Sequence, residues 1–466
     1  MIRLHSQRPW RPSSPPGITL NHPVSPAALP VRADEWHGRV WSLAWPTILS
    51  NLTIPLVGAV DTAVVGHLGD ARYIGAVALG AILFSFVQWA FSFLRMGTTG
   101  FTAQAFGAND LTQINATVVR ASVLAIAFGL LIVAAKEPLA WLAFHFIEGS
   151  AEVETAAREY YDIRIWSAPA ALINLTVLGV LFGLQQMRAA LVTQLVLNAC
   201  NIVFDIWMVV VLDMGVAGVA WSSLISEIIA AIVGIALAWR VLRRLGGRWS
   251  GLTLLDATRL RGLMVVNINI FIRTLAVQLT FFYFAAIGAR QGDTVLAANA
   301  VLIHLFHFMS YGLDGFAFAI EALAGSALGA RNRLALRAMV ISAALWSLAA
   351  ALIFAALYAL AGAWFVGLIT SVPEVTATAS AYMPWLIVAP LISVWCYLLD
   401  GVFFGATHTR EARNSIAAAG LIYLLLVQLC VPTWGNHGLW FCVMVFMAVR
   451  GILLWRWYPR IEKAAS

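Results

Sequence analysis

Six carboxylic acids interrupt otherwise apolar stretches of this sequence: Asp61, Asp205, Glu227, Asp314, Glu321 and Asp400. In hydrocarbon each costs roughly 2.5–3.5 kcal/mol on insertion scales, so it must face a protein-lined cavity, hold a partner or take up a proton. Burial disfavours the carboxylate form. An acid reached in turn from either side of a membrane is therefore a natural proton carrier. The richest set is in the first half. Asp61 follows Pro55 by six residues, and Pro55 predicts a kink in its helix because it removes a backbone hydrogen bond. Asn198, Asn201 and Asp205 are spaced i, i+3 and i+7 and so share one helix face. Gly215-Val216-Ala217-Gly218 opens the next helix and brings in Ser222 and Ser223. Two carboxylates with amide and hydroxyl neighbours can share one proton, or hold Na⁺ through oxygens. The competing reading makes the two aspartates hydrogen-bond glue between helices.

The second half carries a different inventory. Asp314 and Glu321 are seven apart, on one face, and Arg273 is their predicted partner. Asp400 and these two acids fit structural salt bridging and transport equally, and Arg95 is expected to pair with an acid. Glu227 reads as a packing residue. His304-x-x-His307 has a spacing open to metal binding, but with no further ligands it reads as packing, and no metal site is expected. The four cysteines lie in apolar segments with no C-x-x-C pair, so neither a disulfide framework nor a zinc site is expected. Met96, Phe306, Met309, Phe316 and Trp207 could line an adaptable cavity, with ordinary packing as the alternative.

The elements that must hold these groups follow from composition. Of 466 residues, 61% are hydrophobic and 11% charged, against roughly 25% charged in soluble domains. A solvated globular surface is excluded, and a nucleic-acid partner is not expected despite the net charge of +7. Twelve apolar segments, 41–65, 73–103, 112–134, 155–186, 190–212, 216–240, 262–289, 294–328, 332–361, 375–407, 412–431 and 436–457, are each long enough to span a bilayer. Their continuous Leu/Ala-rich character excludes a barrel. Residues 1–37, with seven of the sixteen prolines before residue 33, predict a disordered tail. An arginine-rich linker at 241–261 separates 38–240 from 262–457, and 458–466 forms a closing tail. With both termini on one side, that side collects 22 Arg and Lys against 5 on the other, which predicts cytoplasmic termini. The halves repeat at an offset of 222: Gly179-Val180-Leu181-Phe182-Gly183 returns as Gly401-Val402-Phe403-Phe404-Gly405, Gly107 as Gly329 and Arg188 as Arg410, while Gly69-Asp70 returns as Gly292-Asp293 one residue further on. The expected fold is an all-α integral membrane protein, twelve helices in two pseudo-symmetric six-helix lobes. The offset carries Asp61 onto Tyr283. The scaffold repeats and the acid does not.

Several runs carry a family likeness. They include Leu43-Ala44-Trp45-Pro46, Val60-Asp61-Thr62-Ala63-Val64-Val65-Gly66-His67-Leu68, Thr102-Ala103-Gln104-Ala105-Phe106-Gly107-Ala108 and Asn201-Ile202-Val203-Phe204-Asp205. The second half adds Tyr311-Gly312-Leu313-Asp314-Gly315-Phe316-Ala317 and Val394-Trp395-Cys396-Tyr397-Leu398-Leu399-Asp400-Gly401. Over 38–457 the chain resembles multidrug and toxic compound extrusion (MATE) transporters, the DinF-like group in particular. The resemblance implies a 6+6 bundle that exports small organic compounds against an inward flow of H⁺ or Na⁺. It also implies a cation site at Asp61, Asn201 and Asp205 with a hydroxyl from Ser223 or Ser222. NorM-type members keep a helix-7 acid; here helix 7 offers Asn267, Asn269, Arg273 and Gln278 instead. Asp400 matches the NorM-type helix-10 acid.

The reading is a monomeric antiporter of the cytoplasmic membrane, H⁺ favoured over Na⁺, with bilayer lipid and small organic substrates as partners and no cofactor beyond the coupling ion. A lipid-linked precursor flippase is the first alternative; it requires a more strongly cationic cavity, and that only Arg95 and Arg273 fall inside spans argues against it. An intramembrane enzyme using His304 and His307 is the second alternative.

Overall fold

The computed structural model describes residues 29–66, 71–145, 151–246 and 256–466. Among them the chain is helical throughout, as its long apolar runs require, because backbone groups in hydrocarbon must bond within their own segment. The first half holds α1 (His37–Gly66), α2 (Ala71–Ala90), α3 (Phe93–Gly107), α4 (Leu111–Ala134), α5 (Lys136–His145), α6 (Ala151–Arg164), α7 (Ala168–Gly183), α8 (Met187–Asp205) and α9 (Gly215–Leu245). The second half holds α10 (Ala257–Ala289), α11 (Asp293–Gly329), α12 (Arg333–Ile369), α13 (Pro373–Gly405) and α14 (Thr409–Ala464). Nine helical stretches among the described residues are long and apolar enough to cross a membrane.

Breaks in the helices have local causes. The predicted segment 73–103 is two helices, α2 and α3, interrupted by a turn at Phe91–Ser92. Segment 155–186 contains a 3₁₀ turn at Ile165–Ser167, just ahead of Pro169, which cannot donate to the preceding turn. In α14, Gly435 takes φ 54°, a left-handed conformation that glycine tolerates, and divides that element three residues after Pro432.

Order also reaches into both predicted tails. Trp36 is buried, and its indole donates to the Pro30 carbonyl at 3.0 Å. At the other end α14 runs to Ala464, because the Glu462 carboxylate accepts from Arg333 at 3.0 Å and from Arg337 at 2.6 Å. Helices α9 and α10 extend into the predicted linker from either side. Residues 1–28 of the predicted tail, 247–255 of the linker and the Gly69-Asp70 repeat match lie outside the described residues.

The internal repeat is written into the packing. A Cβ on Gly107 would lie 1.9 Å from the Ser326 carbonyl oxygen, and one on Gly329 would lie 1.9 Å from that of Gln104. Gly107 and Gly329 are repeat mates, and so are Gln104 and Ser326. Gly179 abuts the Arg95 backbone as Gly401 abuts that of Ala317, again at the repeat offset. The turns that follow agree: Asn109 and Arg331 have φ 55° and 50°, and Gln185 and Thr407 have φ 59° and 56°. Each half packs largely within itself, while α11 also packs on α1 and α3 of the first half.

Candidate functional site

The polar face predicted on α8 is formed, and it lies between α1 and α9. Asn198 Nδ2 donates to Thr53 Oγ1 of α1 at 2.6 Å, and Thr53 in turn donates to the Ser50 carbonyl. Three residues on, Asn201 Nδ2 donates to Ser222 Oγ at 3.2 Å and to Ser223 Oγ at 3.3 Å, both on α9. Ser222 returns its proton to the Asn201 carbonyl at 2.9 Å. The amide nitrogen of Asn201 is thus spent on the serines. Its oxygen, Oδ1, is buried with no hydrogen-bond partner among the described residues. Asp205 follows one turn later on the same face and is fully buried. Immediately after it the backbone widens into a π-helical segment, Ile206–Val211, in which Leu212 N–H reaches back five residues to the Trp207 carbonyl. Such π turns recur at functional sites.

Asp61 and Pro55 both fall within α1, the helix that carries Thr53. Their side chains lie outside the described residues, and so does the question of the predicted kink. Thr53 was not among the predicted residues. Its signal was available, since it precedes Asp61 by eight residues and so shares roughly one face of the helix with it.

In the second half the acids are held by arginines, and the pairing differs from the one expected. Arg273 does not serve Asp314 or Glu321; it pairs with Asp400, and Arg450 pairs with the same carboxylate oxygen at 2.8 Å. Glu321 is taken by Arg95 from the first half at 3.3 Å. Gly401, beside Asp400, packs against Ala317 of α11, which fixes the axial register of α13 on α11. Arg450, counted on the side of the termini in the charge tally, is buried inside the bundle. Arg95 also lies over Phe318, 4.1 Å from the ring centroid, and over Phe182 at 5.5 Å. Asp314 is near this network electrostatically, within reach of Arg95, Arg273, Asp400 and Arg450.

Met309 is fully buried in the apolar core of the second half with Phe306, so it packs rather than lining an open cavity. His307 sits edge-on to Phe281 at 5.9 Å. No three His, Cys, Asp or Glu side chains converge among the described residues as metal ligands would. Glu227 accepts from Asn174 at 2.6 Å and pairs with Arg164 at 3.7 Å, tying α9 to α7 and α6.

Long apolar helices, buried acids on internal faces and an internal repeat define a polytopic helical membrane protein built for transport. Residues 46–207 and 270–427 match the MatE family model. The chain is 43% identical over 422 residues to DNA damage-inducible protein F of Escherichia coli K12, covering 90% of this chain and 91% of that one. It is 24% identical to Protein DETOXIFICATION 44, chloroplastic, of Arabidopsis thaliana over 88% of this chain and 80% of that one. Among solved structures, a MATE protein in the bent conformation superposes with a TM-score of 0.83 at 19% identity, covering 91% of this chain and 95% of that one. The chain belongs to the MATE family: it is a multi-pass membrane transporter of small organic compounds, not an enzyme.

Proposed function

We propose that the chain is an ion-driven exporter of amphipathic, often cationic, organic molecules that works by alternating access, with H⁺ as the favoured coupling ion and Na⁺ as the other candidate. Asn201 Oδ1 carries this reading. Among the described residues it is a buried acceptor without a donor, one turn from the buried Asp205. Such an atom costs about 1–3 kcal/mol until something satisfies it. A proton shared with Asp205 would do so, and so would a sodium ion held by Asn201, Asp205 and Ser223. Asp61 completes the set through its place on α1. Neutralising Asp205 or Asp61 weakens the hold on a cationic substrate, and ion and substrate then compete. Multidrug efflux enters from the relatives, which include the probable multidrug resistance protein NorM of Thermotoga maritima, 28% identical over 196 residues.

The architecture belongs to the same proposal. Twelve crossings result if α1 and the α2–α3 pair each cross once and α14 crosses twice, on either side of Gly435. Two six-helix lobes, 38–240 and 262–457, then face each other, with both termini in the cytoplasm of a cell whose inner membrane holds the monomer. Burial of Arg450 beside Arg273 favours a second reading, transfer of an anionic lipid-linked precursor, but both guanidinium groups already share Asp400.

Dye efflux from everted vesicles with separate pH and sodium gradients tests the proposal. Export driven by one of the two ions and lost in Asp61→Asn is the expected result. Full gradient-driven export by Asp61→Asn refutes the mechanism, and flipping of a fluorescent lipid-linked sugar selects the second reading.

A further inference from the structure

The repeat produces one arrangement that the transport proposal does not use. Gln104 and Ser326 are repeat mates on α3 and α11, and Gln185 and Thr407 are repeat mates in the turns after α7 and α13. Gln104 Nε2 donates to the Gly405 carbonyl at 2.9 Å and to Thr407 Oγ1 at 3.2 Å. Gln185 Nε2 donates to Ser326 Oγ at 2.8 Å. The same bond is therefore made twice across the pseudo-symmetry, each time from a first-half amide to a second-half hydroxyl. Between the two bonds, Gly107 and Gly329 let the α3 and α11 backbones touch at the carbonyls of those same residues, Ser326 and Gln104. Gln185 and Ser326 are buried. Arg39 of α1 donates to Gln185 Oε1 at 3.2 Å from the side.

We propose that Gln104, Gln185, Ser326 and Thr407 form a two-part latch that holds this end of the transporter shut. They are positioning residues: they touch no substrate, and they set how often the mouth opens. The inference rests on the alternating-access reading above. No solute passes where two helix backbones are in contact, as α3 and α11 are here. Each bond joins one half of the chain to the other, so separating the halves at this end breaks both together. A neutral hydrogen bond of this kind shifts an opening equilibrium by about two- to tenfold. The glycines set the distance, and a methyl group there has no room.

Hydrogen–deuterium exchange on the purified protein in nanodiscs reads the opening directly. Gln104→Ala is expected to raise exchange by about two- to tenfold in 104–110 and 404–409, and equally in the mirror segments 184–187 and 324–332. Gln185→Ala should give the same pattern. Thr407→Val should loosen the latch, while Thr407→Ser, which keeps the hydroxyl, should restore it. Gly329→Ala should open it furthest, unless it prevents folding. A rise confined to the mutated turn, or equal behaviour of the Val and Ser variants, overturns the proposal. In everted vesicles the latch variants should half-saturate at lower dye concentration and reach a lower maximal rate, because the competent population rises while reclosure slows. These readouts need no particular coupling ion. If neither a pH nor a sodium gradient drives export, the coupling proposal fails while the latch is still decided by exchange.

Discussion

Asp205 and Asp400 are both buried aspartates in apolar helices, and their surroundings are opposite in kind. Around the face that ends in Asp205, the groups that meet Asn201 are two serine hydroxyls on α9, and one amide oxygen is left over. Around Asp400 there are two guanidinium groups on a single carboxylate oxygen. The hydroxyl and amide dipoles that meet Asn201 can reorient when a positive ion arrives or leaves. The Asp400 carboxylate holds two buried cations, and neutralising it strands both in low dielectric. The family scaffold thus places acids in both halves, and in the second half the arginines tie Asp400 into the fold.

The largest effect expected from this contrast is on folding, not transport. Asp400→Asn leaves Arg273 and Arg450 without their counter-charge, and loss of one partner from a buried ion pair costs about 3–5 kcal/mol. Folded yield and thermal stability in detergent should collapse. A stable Asp400→Asn protein that merely loses export would erase the distinction between the two halves and make Asp400 a coupling residue.

Asp205→Asn should do the reverse. The amide is nearly isosteric with the carboxylate, so the protein should fold. Coupling to one charge across 100 mV supports about a fiftyfold substrate gradient, and that accumulation is what the variant is expected to lose. Binding of a cationic substrate measured without a gradient should weaken and no longer compete with the coupling ion. Retention of the gradient by Asp205→Asn would move the coupling site elsewhere.

Glu321→Gln sits between these cases. Arg95 loses its carboxylate but keeps the faces of Phe318 and Phe182. The expected destabilisation is about 2 kcal/mol, below that of Asp400→Asn, because a cation–π contact offsets part of the loss. The double variant with Arg95→Met should recover most of it in a thermal unfolding cycle. No recovery would show that the two residues act separately.

Sequence alone made the α8 face legible, because a helix of fixed period puts Asn198, Asn201 and Asp205 on one side whatever else the chain does. The next helix was legible too, since Ser222 and Ser223 sit one turn past its glycine-rich start. The helix crossing was partly legible: Gly107 and Gly329 recur at the offset of 222, and their mates in space, Ser326 and Gln104, fall at the same offset. Arginine partners were not legible. Which acid Arg273 reaches depends on the axial register of α13 against α11, a tertiary quantity that periodicity within one helix does not contain. Arg450 shows the same limit, since it lies about two turns inside the predicted end of segment 436–457 and its partner on α13 is a matter of tertiary packing. On α1 the structure sets Thr53 against Asn198, while the side chains of Asp61 and Pro55 lie outside the described residues.

The smallest prediction separates the two coupling ions. Ser223→Ala removes one of the two hydroxyls that accept from Asn201 and leaves the Ser222 bond to the Asn201 carbonyl in place. The structural cost should be about 0.5–1.5 kcal/mol, that of one neutral hydrogen bond. Its effect on export depends on what fills the space beside Asn201 Oδ1. A sodium ion needs several oxygen ligands at once, so losing one should raise the half-saturating sodium concentration about tenfold or more. A proton needs the carboxylate and one acceptor, both still present, so the pH dependence of export should shift by less than about one unit. Ser222→Ala is the comparison. It removes the other acceptor of Asn201 and also breaks a bond to the backbone of α8, so it should cost more stability than Ser223→Ala. A large sodium response in Ser223→Ala would reverse the preference for H⁺ and leave the contrast between Asp205 and Asp400 intact.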